Sequence, residues 1–187
     1  MGMADAQFYL AGSITGATVK PLIDAVGERV SKGARSILIA LSSPGGHIYW
    51  GITAYNYLRG LGIEIITHNA GQVDSIAGVI YCAGLKRLCV PQGRFLIHGV
   101  AAFFSGTDPS VNEKDLQDRV SGLRKDRDSI AAILAARTGA KLADVKQKML
   151  DTTILTAEEA KEYGFVHEVT EEIFDPSQEI VQIIAQS

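Results

Sequence analysis

Three short segments of this chain carry residues whose types and spacing suit acyl-transfer chemistry: SSPGG at 42–46, GQVDSIA at 71–77 and FLIH at 95–98. Ser75 opens an apolar stretch that reads as a helix, so the N–H of the next residue, Ile76, can face a developing oxyanion. Gly45 and Gly46 can bring a second backbone donor close, because neither carries a Cβ to hold a substrate off. A serine hydroxyl is a weak nucleophile until a base takes its proton. Of the 4 histidines, His98 is the best placed for that task, at the end of an apolar strand that would hold its ring still. Each feature alone has a plainer use: Ser75 as a helix N-cap, His98 as a satisfied core residue, the glycine pair as a strand-to-helix turn. Together they point to a serine nucleophile, a histidine base and an oxyanion site. Gly45 and His47, on either side of Gly46, are the substrate-binding candidates.

Other chemistries find little support. Val73 and Ala77 flank Ser75 where a hydrolase elbow of the GxSxG type would have glycines. His47, His68, His98 and His167 form neither HExxH nor a close pair, so no metal site is expected. GxGxxG and GxxxxGK[ST] are both missing, which removes the usual nucleotide signals, and no cofactor is expected. Cys82 and Cys89 sit among apolar neighbours without a CxxC spacing and read as reduced core residues.

Strands and helices must alternate to present these segments. Phe8 to Ile14 predicts a strand, after which Val19, Leu22, Ile23, Val26 and Val30 recur at helical spacing. Arg35 to Ser42 is a β-favouring run, broken by Pro44-Gly45-Gly46 and followed by Ile48, Ile52, Tyr55 and Leu58 on one helix face. Ile63 to Thr67 predicts a third strand, Ser75 to Ala83 a short apolar helix and Arg94 to His98 a further strand. Such alternation implies a parallel sheet, and runs apolar on both faces suit a sheet covered on both sides. Leu116, Val120, Leu123, Ile130 and Leu134 trace one face of a long helix that Gly139 should stop. Thr156 to Glu159 reads as a capping box, Gly164 as the end of that short helix, and Phe165 to Val169 as a final strand. The residues from Thr170 onward are weakly patterned, and one domain over 1–187 is expected.

Composition narrows the function. Of 187 residues, 47% are hydrophobic and 21% charged, with 18 Lys+Arg against 21 Asp+Glu for a net charge of -3. With no basic run, a nucleic-acid partner is not expected, because phosphate binding rests on clustered Lys and Arg. The apolar stretches 75–84 and 95–104 fall short of the ~18–20 residues that cross a bilayer, so no membrane span is expected. The first residues have no basic region before an apolar one and do not read as a secretory signal, so a cytoplasmic location is expected.

Four ordered blocks carry a family resemblance: SSPGG (42–46), GQVDSIAGVIYCAG (71–84), KRLCVPQGRFLIHG (86–99) and LTAEEAKEYGFV (155–166). In this order and spacing they resemble the ClpP-type proteolytic subunits of the caseinolytic protease family, over about residues 7–170. The resemblance implies an α/β, crotonase-like fold of repeated β-α units with a projecting long helix. It implies a serine peptidase acting on peptide or unfolded protein, with Ser75 as nucleophile, His98 as general base, and the N–H groups of Gly46 and Ile76 as the oxyanion hole. It also implies ring-type homo-oligomers around an enclosed chamber, fed by an ATP-driven unfoldase.

The third catalytic position departs from the family. Counting back from Glu162-Tyr-Gly164 places Thr152 where the acid is expected, with Asp151 one residue earlier. Asp151 is the candidate acid and Thr152 the alternative. Asp74 is a second departure, since the family usually has a small residue beside the nucleophile. A carboxylate there opposes negative charge in the oxyanion hole unless it points away. Two further readings stay open: a catalytically silent ring subunit, and a crotonase-type enzyme that uses the same amides to stabilise an acyl-CoA enolate.

Overall fold

Ile37 to Leu41 are five consecutive buried residues, as in a strand covered on both faces. They form the middle of β2 (Ser36–Ser43), which pairs in parallel with β1 (Ala6–Ala11) on one side and β3 (Glu64–Asp74) on the other. The computed structural model describes residues 4–101 and 112–185. Positions 102–104 of the second apolar stretch lie outside them. With β5 (Arg94–Ile97), β6 (Thr153–Thr156) and β8 (Ile180–Ile184), the sheet among the described residues runs β6-β5-β3-β2-β1-β8; β4 (Lys86–Cys89) branches from β3, and β7 (Glu168–Val169) pairs with β4. Every pairing is parallel except that of β5 (Arg94–Ile97) with β6 (Thr153–Thr156). Crossover helices α1 (Gly16–Ser31) and α2 (Ile48–Gly60) connect the first three strands as the alternation predicted.

β3 is the strand that shapes the site. The sequence predicts it only to Thr67, yet it continues to Asp74 and changes partner on the way. Ile66 to Asn69 pair with β4, whereas Gln72 to Asp74 pair with β5. Asn69 supports the change by donating its side-chain amide to the Arg94 carbonyl at 2.8 Å and accepting the Gly71 N–H at 2.9 Å. The extension lacks a period-2 apolar pattern because polar side chains and a glycine make the bend, and that explains why periodicity missed it.

After β3 comes α3 (Ala77–Tyr81), a five-residue helix whose side chains are all buried. Tyr81, Phe95 of β5 and Phe165 form an aromatic trio with ring centroids 5.1 to 5.8 Å apart, which locks α3, β5 and the turn after α6 (Ala157–Glu162) together. Arg87, 2% exposed, donates to the carbonyls of Gly84, Arg137, Gly164 and Phe165, replacing water with backbone acceptors around a buried charge. Burial pushes the Cys82 and Cys89 thiols up to about 12, so neither is a thiolate near neutral pH.

The long helix, α4 (Glu113–Thr138), starts at an Asn112 cap whose side chain accepts the Asp115 N–H, and stops at Gly139 in the left-handed region. Its apolar stripe does not meet one environment. Ile130 and Leu134 are buried, whereas Leu116 and Val120 are 45% and 44% exposed, so the first half projects beyond the core. Next comes α5 (Leu142–Asp151). The Thr156–Glu159 capping box forms as predicted, with Gly164 turning the chain after α6. Two expectations change: only Glu168 and Val169 of the predicted final strand are extended, and the weakly patterned tail contains β8 (Ile180–Ile184), which adds to the edge of β1.

Candidate functional site

Ser75 is one of two non-glycine residues with positive φ among the described residues, at 58°. It does not cap α3, whose N-cap is Ile76, but sits in the sharp turn between β3 and the helix. Its N–H donates to the Leu96 carbonyl at 2.8 Å, and its own carbonyl accepts from the Gly78 N–H at 3.0 Å. A left-handed serine costs free energy that its surroundings must offset, and such strain concentrates at functional turns. The geometry is that of a nucleophile elbow even though the glycine signature of one is missing.

The glycine pair is explained by close approach. At Gly45 φ is 95°, and an added Cβ would stand 2.7 Å from the Cβ of Ser75 and 2.9 Å from the Asp74 carbonyl oxygen. The Gly45 carbonyl accepts from the Ile14 N–H at 2.8 Å, and its N–H meets the Ser43 hydroxyl at 3.1 Å. Gly45 is buried with both polar groups engaged, so it backs Ser75 rather than offering a substrate contact. Gly46 bridges to Ile14 in parallel fashion, Ile14 bonding the Gly45 carbonyl and the His47 N–H. In such a bridge the middle residue's own N–H points the other way. Among the described residues no hydrogen bond claims the Gly46 or the Ile76 N–H. Gly51 of α2 packs its bare Cα against the Ile76 side chain and holds that turn in place.

A cavity of about 250 Å³ gathers these groups, bordered by Gly46, Ser75, Ile76 and His98. Its remaining wall is apolar, including Val73, Ile97, Ile130, Leu134 and Met149. Ile130, Leu134 and Met149 come from α4 and α5, and sequence reading assigned the first two to a helix face without linking them to the site. Periodicity reports that a face is covered, not what covers it.

His98 directly follows β5 and is half-buried. The β5–β6 ladder pairs Ile97 with Thr153, so one further step along the register sets position 98 opposite Thr152. Thr152 is the left-handed C-cap of α5, with its N–H on the Lys148 carbonyl. The Asp151 carboxylate lies elsewhere than the sequence expectation placed it: it is exposed and accepts from Gln147 Nε2 at 2.8 Å, one turn back on α5. Neither Asp151 nor Thr152 borders the cavity, and His47 is an exposed N-cap of α2 outside it. The described residues contain no group of three His, Cys, Asp or Glu able to hold a metal, and no helix long and apolar enough to cross a membrane.

A family profile described as Clp protease matches residues 21–173. The chain belongs to the Clp protease family. It is 33% identical over 137 residues to the ATP-dependent Clp protease proteolytic subunit 1 of Thermobifida fusca, covering 72% of this chain and 60% of that protein. With the subunit 1 protein of Corynebacterium diphtheriae the identity is 34% over 72% of this chain and 64% of the relative. The chain thus spans a little under two thirds of the length of these curated relatives. A solved ClpP1 variant from Listeria monocytogenes has the same fold, with a TM-score of 0.80 at 23% identity over 89% of this chain and 91% of that one.

Gly45→Ala should lose about 1–3 kcal/mol of stability, because the new Cβ meets the Ser75 turn and the left-handed backbone penalises any side chain. Thermal unfolding should show a lower midpoint by roughly 2–4 °C per kcal/mol. A wild-type midpoint would mean that the turn yields without cost.

Proposed function

We propose that this chain is a serine endopeptidase that hydrolyses peptide bonds in peptides or unfolded protein. The observation that carries the reading is one cavity bordered by a strained serine, a histidine, and Gly46 and Ile76, whose amides have no hydrogen-bond partner among the described residues. Ser75 Oγ attacks the scissile carbonyl carbon as His98 accepts its proton. The carbonyl oxygen, now negative, takes hydrogen bonds from the Gly46 and Ile76 N–H groups. Collapse of this intermediate breaks the C–N bond, and His98 returns the proton to the leaving amine. Water, deprotonated by His98, then cleaves the acyl-serine ester. The apolar wall suits an apolar side chain beside the scissile bond.

For the third position the register favours Thr152, whose hydroxyl can accept from one ring nitrogen of His98 and fix the tautomer that leaves the other free. The Asp151 carboxylate is exposed and accepts from Gln147 through Oδ1. A silent ring subunit is the second reading, motivated by the uncharged residue at 152.

The relatives are named as subunits of an ATP-dependent protease, and we extend to this chain a ring-type homo-oligomer that works with an ATP-dependent unfoldase in the cytoplasm. Leu116 and Val120, apolar and exposed on the projecting half of α4, support contact with a second copy.

A fluorophosphonate should add one equivalent to the native protein, seen by intact mass, and none to Ser75→Ala; His98→Ala should label at least about 100-fold more slowly. Labelling that persists in Ser75→Ala would remove the nucleophile, and no labelling of the wild type would favour the silent subunit.

On a short fluorogenic peptide, Thr152→Val should lower turnover while Asp151→Asn stays within about twofold of wild type. The reverse pattern, with Asp151→Asn down by up to roughly 10⁴, would give the role to Asp151.

Sedimentation at micromolar concentration should show a species larger than a monomer, and Leu116→Glu with Val120→Glu should shift it toward the monomer. A wild-type monomer across moderate salt would defeat the assembly.

A further inference from the structure

Asp74 is a carboxylate next to an anion-stabilising site, and the mechanism above does not use it. It is 3% exposed, and burying a carboxylate is costly unless charge and hydrogen bonds replace its water. Alternation along β3 turns it away from the cavity: Val73 borders that space, and Asp74 does not. This removes the conflict with an oxyanion that its place in the sequence suggested. Oδ2 is paired with the Arg94 guanidinium at 2.6 Å, whereas Oδ1 is buried with no hydrogen-bond partner among the described residues.

The pair crosses the seam on which the site depends. Gln72 sits opposite Arg94, Val73 opposite Phe95 and Asp74 opposite Leu96, so Asp74–Arg94 is a diagonal cross-strand pair. The next rung is the Ser75 N–H on the Leu96 carbonyl. His98 follows Leu96 by two residues, roughly 7 Å of strand at about 3.3 Å per residue. Nucleophile and base therefore stand at the ends of two short segments that this ion pair ties together.

We propose that Asp74 and Arg94 are positioning residues: their ion pair holds the β3–β5 register that brings Ser75 and His98 to one cavity. The proposal rests on the peptidase reading for its catalytic meaning. Arg94 reaches across the seam to a carboxylate that is otherwise buried, and Asp74 in turn holds the guanidinium above its ordinary pKa. A diagonal pair of opposite charge favours this register over one shifted by a residue, which would turn the two side chains to opposite faces of the sheet.

The Ser75 amide reports the seam directly, because its N–H is the rung next to the ion pair. In the full chain, Asp74→Asn and Arg94→Gln should each speed hydrogen exchange at the Ser75 N–H by at least about tenfold, and should lower kcat on a short peptide more than they raise KM. Arg94→Lys, which keeps the ion pair, should leave both near wild type. The Asp74→Asn/Arg94→Gln double variant should be no worse than the worse single variant, because both remove one interaction. Wild-type exchange at Ser75 in both single variants, or losses that add in the double variant, would overturn the proposal. If Arg94→Gln fails to fold, Asp74→Asn and Arg94→Lys still decide it: wild-type exchange in the first, or fast exchange in the second, goes against the proposal. The exchange needs no turnover, so a protein without peptidase activity would refute the functional reading while leaving this test intact.

Discussion

The hydrogen bond from the Ser75 N–H to the Leu96 carbonyl is the contact on which the site depends. It is the last rung of the β3–β5 ladder, and it holds a left-handed serine where the strand must turn into α3. Without that rung, the serine would have neither a fixed backbone nor a fixed relation to His98, two residues further along the partner strand. The ladder exists because β3 outlives its pairing with β4 and finds β5 on the same edge. One strand therefore serves two partners, and the site forms at the point of exchange.

Two kinds of packing keep that exchange rigid. Behind the serine, Gly45 and Gly46 let the loop after β2 come within contact distance of Asp74, Ser75 and Ile14, an approach that any Cβ would block. Beneath it, Tyr81, Phe95 and Phe165 interlock from three parts of the chain, so α3 and β5 cannot move apart without opening an aromatic core. The same contacts that stabilise the fold thus fix the two turns that border the cavity.

Much of this was legible in the residues. The strand read at 35–42 and found at 36–43, the helix after it, the Gly139 stop and the Thr156 capping box all rest on local rules, and the structure contains each of them. Ser75, His98, Gly46 and Ile76 were singled out by residue type and order, and they border one cavity. Less was legible where a residue's partner lies far along the chain. β8 carries a short β-branched run, Ile180-Val-Gln-Ile-Ile184, but its place beside β1 rests on a ladder to residues at the other end of the chain, which local sequence does not announce. The Asp151 carboxylate was expected at His98, but a glutamine one turn away on the same helix takes it.

By itself the sequence determined the class of the fold, the alternating order of its elements and the residue types able to do acyl-transfer chemistry. These follow from periodicity, turn residues and intrinsic reactivity, which act over a few neighbours. Only the tertiary structure decided that Ser75 is a strained turn and not a helix cap, that Gly45 supports the serine from behind, that Asp74 faces away toward Arg94, and that Thr152 is the residue in register with His98. Each of those outcomes depends on which strand pairs with which and in what register. A shift of one residue reverses the side every side chain faces, and only the packed sheet sets that register.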